Sequence, residues 1–289
     1  MDFVFKGATF LNMKLGFSSN AFKKFSLEQC IPLISQIGYS AVEILCDLPH
    51  AYPPKEQDIT KIRTLLSKHN LEISNLNTFT LYAIKDTYHP SWIEDVGELR
   101  QIRFEHTKNC IELASELGCK NISTEAGGPL DTKTSNPVAL KRRFAREMNK
   151  LSRFAEDQEI KVLVEPEPGL LLETSQDFLF FIKEVESEYI KLNFDIAHFY
   201  CVREDPAEVI HRLSDYIEHF HLSDIAVNRV HNHLIPGEGA INFKSVFKAI
   251  IEIGYKGCIT VELYPYQNNP EYAATKAFEF LQCLKLDFT

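Results

Sequence analysis

No two cysteines in this chain are spaced as CxxC, and the seven present (Cys30, Cys46, Cys110, Cys119, Cys201, Cys258, Cys283) follow no regular interval. An odd, dispersed set argues against a disulfide framework and fits buried free thiols in a reducing cytoplasm. Long hydrophobic runs are missing too. The longest, Phe178–Ile182, falls far short of the ~20 residues that cross a bilayer, so no membrane is expected as a partner. The opening MDFVFKGATFLN has no basic segment followed by an apolar one, so no signal peptide is expected. Positive charge is the scarcer sign: 31 Lys and Arg stand against 40 Asp and Glu, a formal net charge of -9. Nucleic-acid binders usually carry a basic surplus or stripe, so a polyanionic partner is not expected. Neither GxGxxG nor GxxxxGK[ST] occurs, which disfavours a doubly wound nucleotide-binding sheet. No stretch rich in Pro, Gly or Ser divides the chain. One domain over residues 13–289 is therefore expected, with residues 1–12 as a short N-terminal extension.

What is present is a repeated unit, a short apolar run followed by an amphipathic segment. The strand expectations are Lys14–Ser18, Ala41–Leu45, Glu72–Leu76, Asn121–Thr124, Lys161–Glu165, Tyr189–Asp195, Tyr216–His221 and Cys258–Glu262. Between them lie helical patterns. Ser26 is placed as an N-cap before Leu27, Ile31, Ile34 and Ile37, and Gly38 supplies the stop. Cys110, Leu113 and Leu117 share a face of Glu105–Leu117 before Gly118, and Ser245–Ile253 ends at Gly254 in the same way. Strands alternating with helices argue for a parallel sheet. Eight units in 289 residues argue for closure into an α/β (β/α)8 TIM barrel, with an open doubly wound sheet as the competitor. The aromatic-rich stretch Phe79–Pro90 reads as a lid over the mouth or as a packed surface loop.

Several strand runs end in groups that bind cations. LVEP places Glu165 at the end of strand five, and NFDIAHFY places Asp195 and His198 after strand six. HFHLSD places His219 and His221 on strand seven, and TVELYPY places Glu262 on strand eight. Catalytic groups of a β/α barrel sit at its C-terminal face, so these ends converge on one mouth. Carboxylates with one imidazole suit a divalent ion such as Mn, Mg, Co or Zn. His219 and His221 point the same way, two positions apart. His221 is preferred as the ligand because it lies nearer the mouth. His231 and His233, in HLIPGEG's approach, also share a side and read either as a second metal pair or as polar loop histidines. Ser18, Asn20, Glu43, Asn77, Thr78 and Glu125 stand at the first four strand ends, where they either read substrate or bond within the mouth. The turn after His233 is expected to bring Glu238 or its backbone near the mouth, and Lys85 is the charge the lid could supply.

Taken in order, Glu165, Asp195-Ile-Ala-His198, His-Phe-His221, HLIPGEG and Val-Glu262 resemble the sugar isomerase/epimerase superfamily with a xylose-isomerase-like barrel. That group includes ketose 3-epimerases, hydroxypyruvate isomerase, inosose dehydratase and class II apurinic endonucleases. The resemblance spans about residues 13–286. It implies Glu165, Asp195, His221 and Glu262 as metal ligands, with Glu165, Glu262 and His198 as catalytic groups and His198 bonding a substrate oxygen. It implies a substrate contact for Arg229, which here stands two residues further from the metal histidine than in ketose epimerases. The endonuclease branch has histidines where Asn77 and Glu125 stand, and an Asp-x-His pair where His231-Asn-His233 stands. A three-metal site is therefore not expected. The expected function is a cytoplasmic, metal-dependent isomerase or epimerase of carbohydrate metabolism, acting on a small, neutral sugar or polyol through an enediolate. A phosphodiesterase-like metallohydrolase and a non-catalytic sugar-binding barrel are the alternatives, and a homo-oligomer is compatible with each.

Overall fold

The computed structural model describes residues 13–53, 59–130 and 136–286; the expected 1–12 extension lies outside them. Eight parallel strands close in chain order into a barrel: β1 (Lys14–Ser18), β2 (Ala41–Leu45), β3 (Glu72–Asn77), β4 (Asn121–Glu125), β5 (Lys161–Glu165), β6 (Ile190–Asp195), β7 (Ile217–Leu222) and β8 (Cys258–Val261). The helices among the described residues are α1 (Leu27–Ile37), α2 (Ile59–Lys68), α3 (Gly97–Leu117), α4 (Pro137–Asp157), α5 (Ser175–Ile182), α6 (Ile196–Cys201), α7 (Pro206–Leu213), α8 (Phe243–Glu252) and α9 (Pro270–Leu286). None is long and apolar enough to cross a membrane.

Local chemistry explains the boundaries. The Ser26 amide donates to Gln29 Oε1 at 2.9 Å, which starts α1. Gly38 ends it at φ +116°, a backbone conformation that a Cβ resists, and a Cβ there would also lie 2.7 Å from the Phe278 ring. Asp205 caps α7 by accepting from the amides of Ala207 and Glu208, and Pro206 fills its first position. The helix expected from Glu105 begins earlier, at Gly97, because polar residues on its solvent face hid the first turns from an apolar-periodicity reading. β3 and β4 each run one residue past expectation, onto Asn77 and Glu125, and β8 stops just before Glu262.

The apolar core lies between barrel and helices. Phe144 and Phe181 stack at 4.7 Å between α4 and α5, both fully buried, each burial favourable by roughly 2–3 kcal/mol. The barrel interior beneath the mouth is polar instead. Asn75 donates to Ser123 Oγ, His219 Nδ1 lies 2.8 Å from Asn193 Oδ1, and His219 Nε2 lies 2.9 Å from Thr260 Oγ1. All seven cysteines are unpaired; Cys30, Cys46, Cys110 and Cys119 are buried as expected, but Cys201 and Cys258 are only part-buried and Cys283 is exposed on the outer face of α9.

Candidate metal centre and substrate cavity

Parallel register places the acidic strand ends side by side. Glu125 pairs with Glu165, Asp195 with His221, and His221 with Thr260. A register irregularity between Leu192 and Asn193 sets Asn193 opposite His219. From there its side-chain amide donates to Glu165 Oε2 at 2.9 Å. One ligand atom each from Glu165, Asp195, His221 and Glu262 then lies within 4.8 Å of the others. Glu165 Oε1 is 2.9 Å from His221 Nδ1, and Glu262 Oε2 is 3.7 Å from the same nitrogen.

The electrostatics of this cluster call for a cation. Glu43, Glu165, Asp195 and Glu262 are all buried around the His221 imidazole. Burial, with Glu165, Glu43 and Asp195 close by, holds the Glu262 carboxyl well above its ordinary range despite His221. Burial opposes an imidazolium at His221, yet Glu165, Glu43 and Glu262 raise its pKa well above the usual value. Burial likewise opposes ionised Asp195, but His198, His233 and His221 bring it down to about 2. Its Oδ2 is buried without any hydrogen-bond donor. An unpaired buried carboxylate oxygen is costly, so an oxygen-rich set with one imidazole and an orphaned ligand atom fits a divalent ion.

Of the two places expected for Glu43, reading substrate or bonding within the mouth, the structure shows the second. It accepts from Ser18 Oγ and Asn75 Nδ2, each at 2.7 Å, and its Oε2 lies 2.7 Å from His221 Nε2. A carboxylate behind a metal-binding histidine fixes ring orientation and leaves Nδ1 toward the cluster. Ser18 is thereby turned to Glu43, and Thr78 donates to the Ser123 carbonyl at 2.6 Å. Only Asn20 and Asn77 of the six first-half residues line the cavity. Asn20 Nδ2 donates to Glu262 Oε1 at 2.7 Å.

The cavity, of about 130 Å³, opens beside the cluster, and Glu165, Glu262 and His198 form part of its wall. His198 Nδ1 sits 2.9 Å from the Pro166 carbonyl, which can only accept, so that nitrogen carries the proton. Nε2 is left 3.8 Å from Asp195 Oδ2. The Phe79–Pro90 stretch does cover the mouth, contributing Phe79, Thr80, Tyr82, Thr87 and Tyr88 to the wall. It is held at both ends. Asp47 accepts from Thr80 Oγ1 and from the amides of Tyr82 and Ala83, while Arg103 donates to the carbonyls of Thr78, Phe79 and Pro90.

Two expected substrate residues are turned elsewhere. Glu125 is fully buried 3.6 Å from Arg103 and does not line the cavity, because β4 runs on and carries it behind the lid's anchor. Arg229 stacks 4.0 Å over the Tyr200 ring and donates to the Tyr200 carbonyl at 2.6 Å, which pins it outside the cavity wall. Lys85 and Glu238 are exposed and also outside it. His231 and His233 lie together, their Nε2 atoms 3.3 Å apart, and a nitrogen of each falls within 4.8 Å of a His198 nitrogen.

The sequence reading overlooked Glu167 and Lys23. Glu167 lines the cavity, accepts from Tyr88 OH at 2.6 Å, and is pushed up to about 7, chiefly by burial. The alternation in Glu165-Pro-Glu167 was the available signal, since positions two apart in extended chain face one way.

Fold and site together define a barrel with a carboxylate-rich candidate metal centre at its C-terminal mouth. The profile of the xylose isomerase-like TIM barrel family matches residues 31–284, and the chain belongs to that family. An uncharacterized protein of Methanocaldococcus jannaschii is 30% identical over 262 residues, which is 87% of this chain and 84% of that one. Fructoselysine 3-epimerase of Shigella flexneri is 26% identical over 281 residues, covering 94% and 98% of the two chains. Among solved structures, the IolI protein with a bound zinc atom superposes with a TM-score of 0.79 at 19% identity, over 96% of this chain and 99% of that one; this likeness speaks to the fold.

Proposed function

We propose that this protein is a divalent-metal-dependent isomerase or epimerase that deprotonates a small sugar or polyol next to a carbonyl and passes through an enediolate. One observation carries the reading: the ligand atoms of Glu165, Asp195, His221 and Glu262 converge within 4.8 Å, and two of these carboxylates also form the cavity wall. A divalent ion held by these four residues supplies Lewis acidity that makes the carbon beside a carbonyl more acidic. Glu165 and Glu262 divide the proton work, one taking the proton and the other returning it. Asn193 orients Glu165, and Asn20 orients Glu262. His198, its tautomer set by the Pro166 carbonyl, presents Nε2 to a substrate oxygen. The lid keeps bulk water from the enediolate. Return of the proton to the opposite face epimerises, and return to the adjacent carbon isomerises. The 3-epimerase among the relatives supports the former outcome.

The test is solvent deuterium incorporation into a panel of ketoses and inososes by metal-loaded protein. Glu165→Gln and Glu262→Gln should each lower exchange by about 10²-fold or more, the typical weight of general acid–base catalysis. Exchange at near wild-type rates in either variant removes that residue from proton transfer.

The approach of His198, His231 and His233 favours a second reading, a metallohydrolase holding another ion on those nitrogens. Metal stoichiometry separates the two. One ion per chain supports the isomerase, whereas two or more with phosphodiester cleavage support the hydrolase.

A further inference from the structure

Among the described residues, the cavity wall carries three carboxylates, Glu165, Glu167 and Glu262, and one lysine, Lys23. Lys23 directly follows the short turn Ser19–Phe22 that leaves β1. Its ammonium lies 4.0 Å from the centroid of the Tyr82 ring, and Tyr82 is a half-exposed lid residue, which places the lysine at the rim. Tyr82 OH is in turn 2.7 Å from Thr87 Oγ1, so the platform beneath the ammonium is fixed within the lid. The cation–π contact itself supplies no counter-charge. Among the described residues no carboxylate comes within ion-pair distance of Lys23, although acidic groups crowd the same cavity. The neighbouring Lys24 turns away and donates to Asn268.

A neutral polyol gives such a residue nothing to pair with. A divalent ion offsets the inner carboxylates, and the rim ammonium then stands as a fixed positive charge facing substrate. A charge-assisted contact in a cavity closed by a lid is stronger than one in open water.

We propose that the substrate carries an anionic group, carboxylate or phosphate, on the end remote from the reacting carbon, and that Lys23 holds that group at the rim against Tyr82. The inference rests on the reading of the site as a sugar isomerase or epimerase. It replaces the neutral sugar expected from the sequence, which carries no phosphate-binding motif.

The experiment compares D-fructose, D-fructuronate and D-fructose 6-phosphate, which differ at C6 as hydroxyl, carboxylate and phosphate. Deuterium exchange gives kcat and KM on metal-loaded wild type, Lys23→Gln and Lys23→Arg, and calorimetry gives Kd for the same nine pairs. One anionic sugar should bind at least tenfold more tightly than fructose, and whichever does so names the anion. Lys23→Gln should reduce that preference at least tenfold, through KM rather than kcat, and Lys23→Arg should restore much of it. A Gln variant that merely disturbed the fold would lower kcat for all three sugars and would not be rescued by Arg. The inference is overturned if neither anion binds better than fructose, or if Lys23→Gln leaves the preference intact. Should no sugar exchange deuterium, the proposed reaction fails, while the calorimetric arm still decides the role of Lys23.

Discussion

Replacing Glu125 by Gln tests the electrostatics of the barrel wall without touching the candidate metal ligands. Glu125 is fully buried, both of its carboxyl oxygens lack a hydrogen-bond donor, and Arg103 stands off at 3.6 Å. Burial raises its pKa to about 8 from 4.5, with Arg103 opposing and Glu167 adding to the rise. A carboxyl whose native pKa is raised stays protonated in the fold while the unfolded chain ionises. Its contribution is thus fully present below about 4.5 and is lost as pH climbs to about 8. The loss runs at roughly 1.4 kcal/mol per pH unit, or several kcal/mol across the window. A glutamine amide cannot ionise, so Glu125→Gln should match wild type near pH 5 and exceed it increasingly toward pH 8. Urea unfolding of both proteins at pH 5, 6.5 and 8 measures the difference, because other titrating groups cancel between them. The reasoning fails if the variant is less stable by a constant ~3–5 kcal/mol at every pH, the signature of an ionised Glu125 paired with Arg103.

Asp224 accepts from the amides of Ile225, Gly237, Gly239 and Ile241 at 2.9 to 3.1 Å, so it shapes the loop after His233. Asp224→Ala leaves those donors unpaired and should cost about 3–5 kcal/mol in urea unfolding; a loss under about 1 kcal/mol would show that the loop holds itself. Asp47→Ala should release the lid, since it removes the acceptor for Thr80, Tyr82 and Ala83. Weakening that anchor by about 2 kcal/mol predicts roughly 30-fold faster hydrogen exchange at Tyr82 and Ala83, and unchanged exchange there would refute the anchoring role.

The barrel and the candidate ligand cluster Glu165, Asp195, His221 and Glu262 were legible from local pattern. Short apolar strand runs, helix stops at Gly38, Gly118 and Gly254, and acidic groups at successive strand ends are properties of neighbouring residues. Parallel closure then brings those ends to one mouth, whatever the details of packing. His221 was separable from His219 on position, and the structure sends His219 to Asn193 and Thr260 in the interior. Where partners are distant in sequence, pattern carried less. Glu43 lies in the middle of β2, yet it meets His221 across the barrel, 178 positions away. Glu125 and Arg229 carry the right charge for substrate contact, but Arg103 and Tyr200 occupy them. Lys23 becomes a cavity residue only because the lid folds Tyr82 over to meet it. Strand order and strand ends are decided within a few residues, so the sequence alone determined that Glu165, Asp195, His221 and Glu262 stand around one mouth. Which of them face each other, and which are left free for a cation or a substrate, depends on barrel register and loop closure. Those were decided only by the tertiary structure.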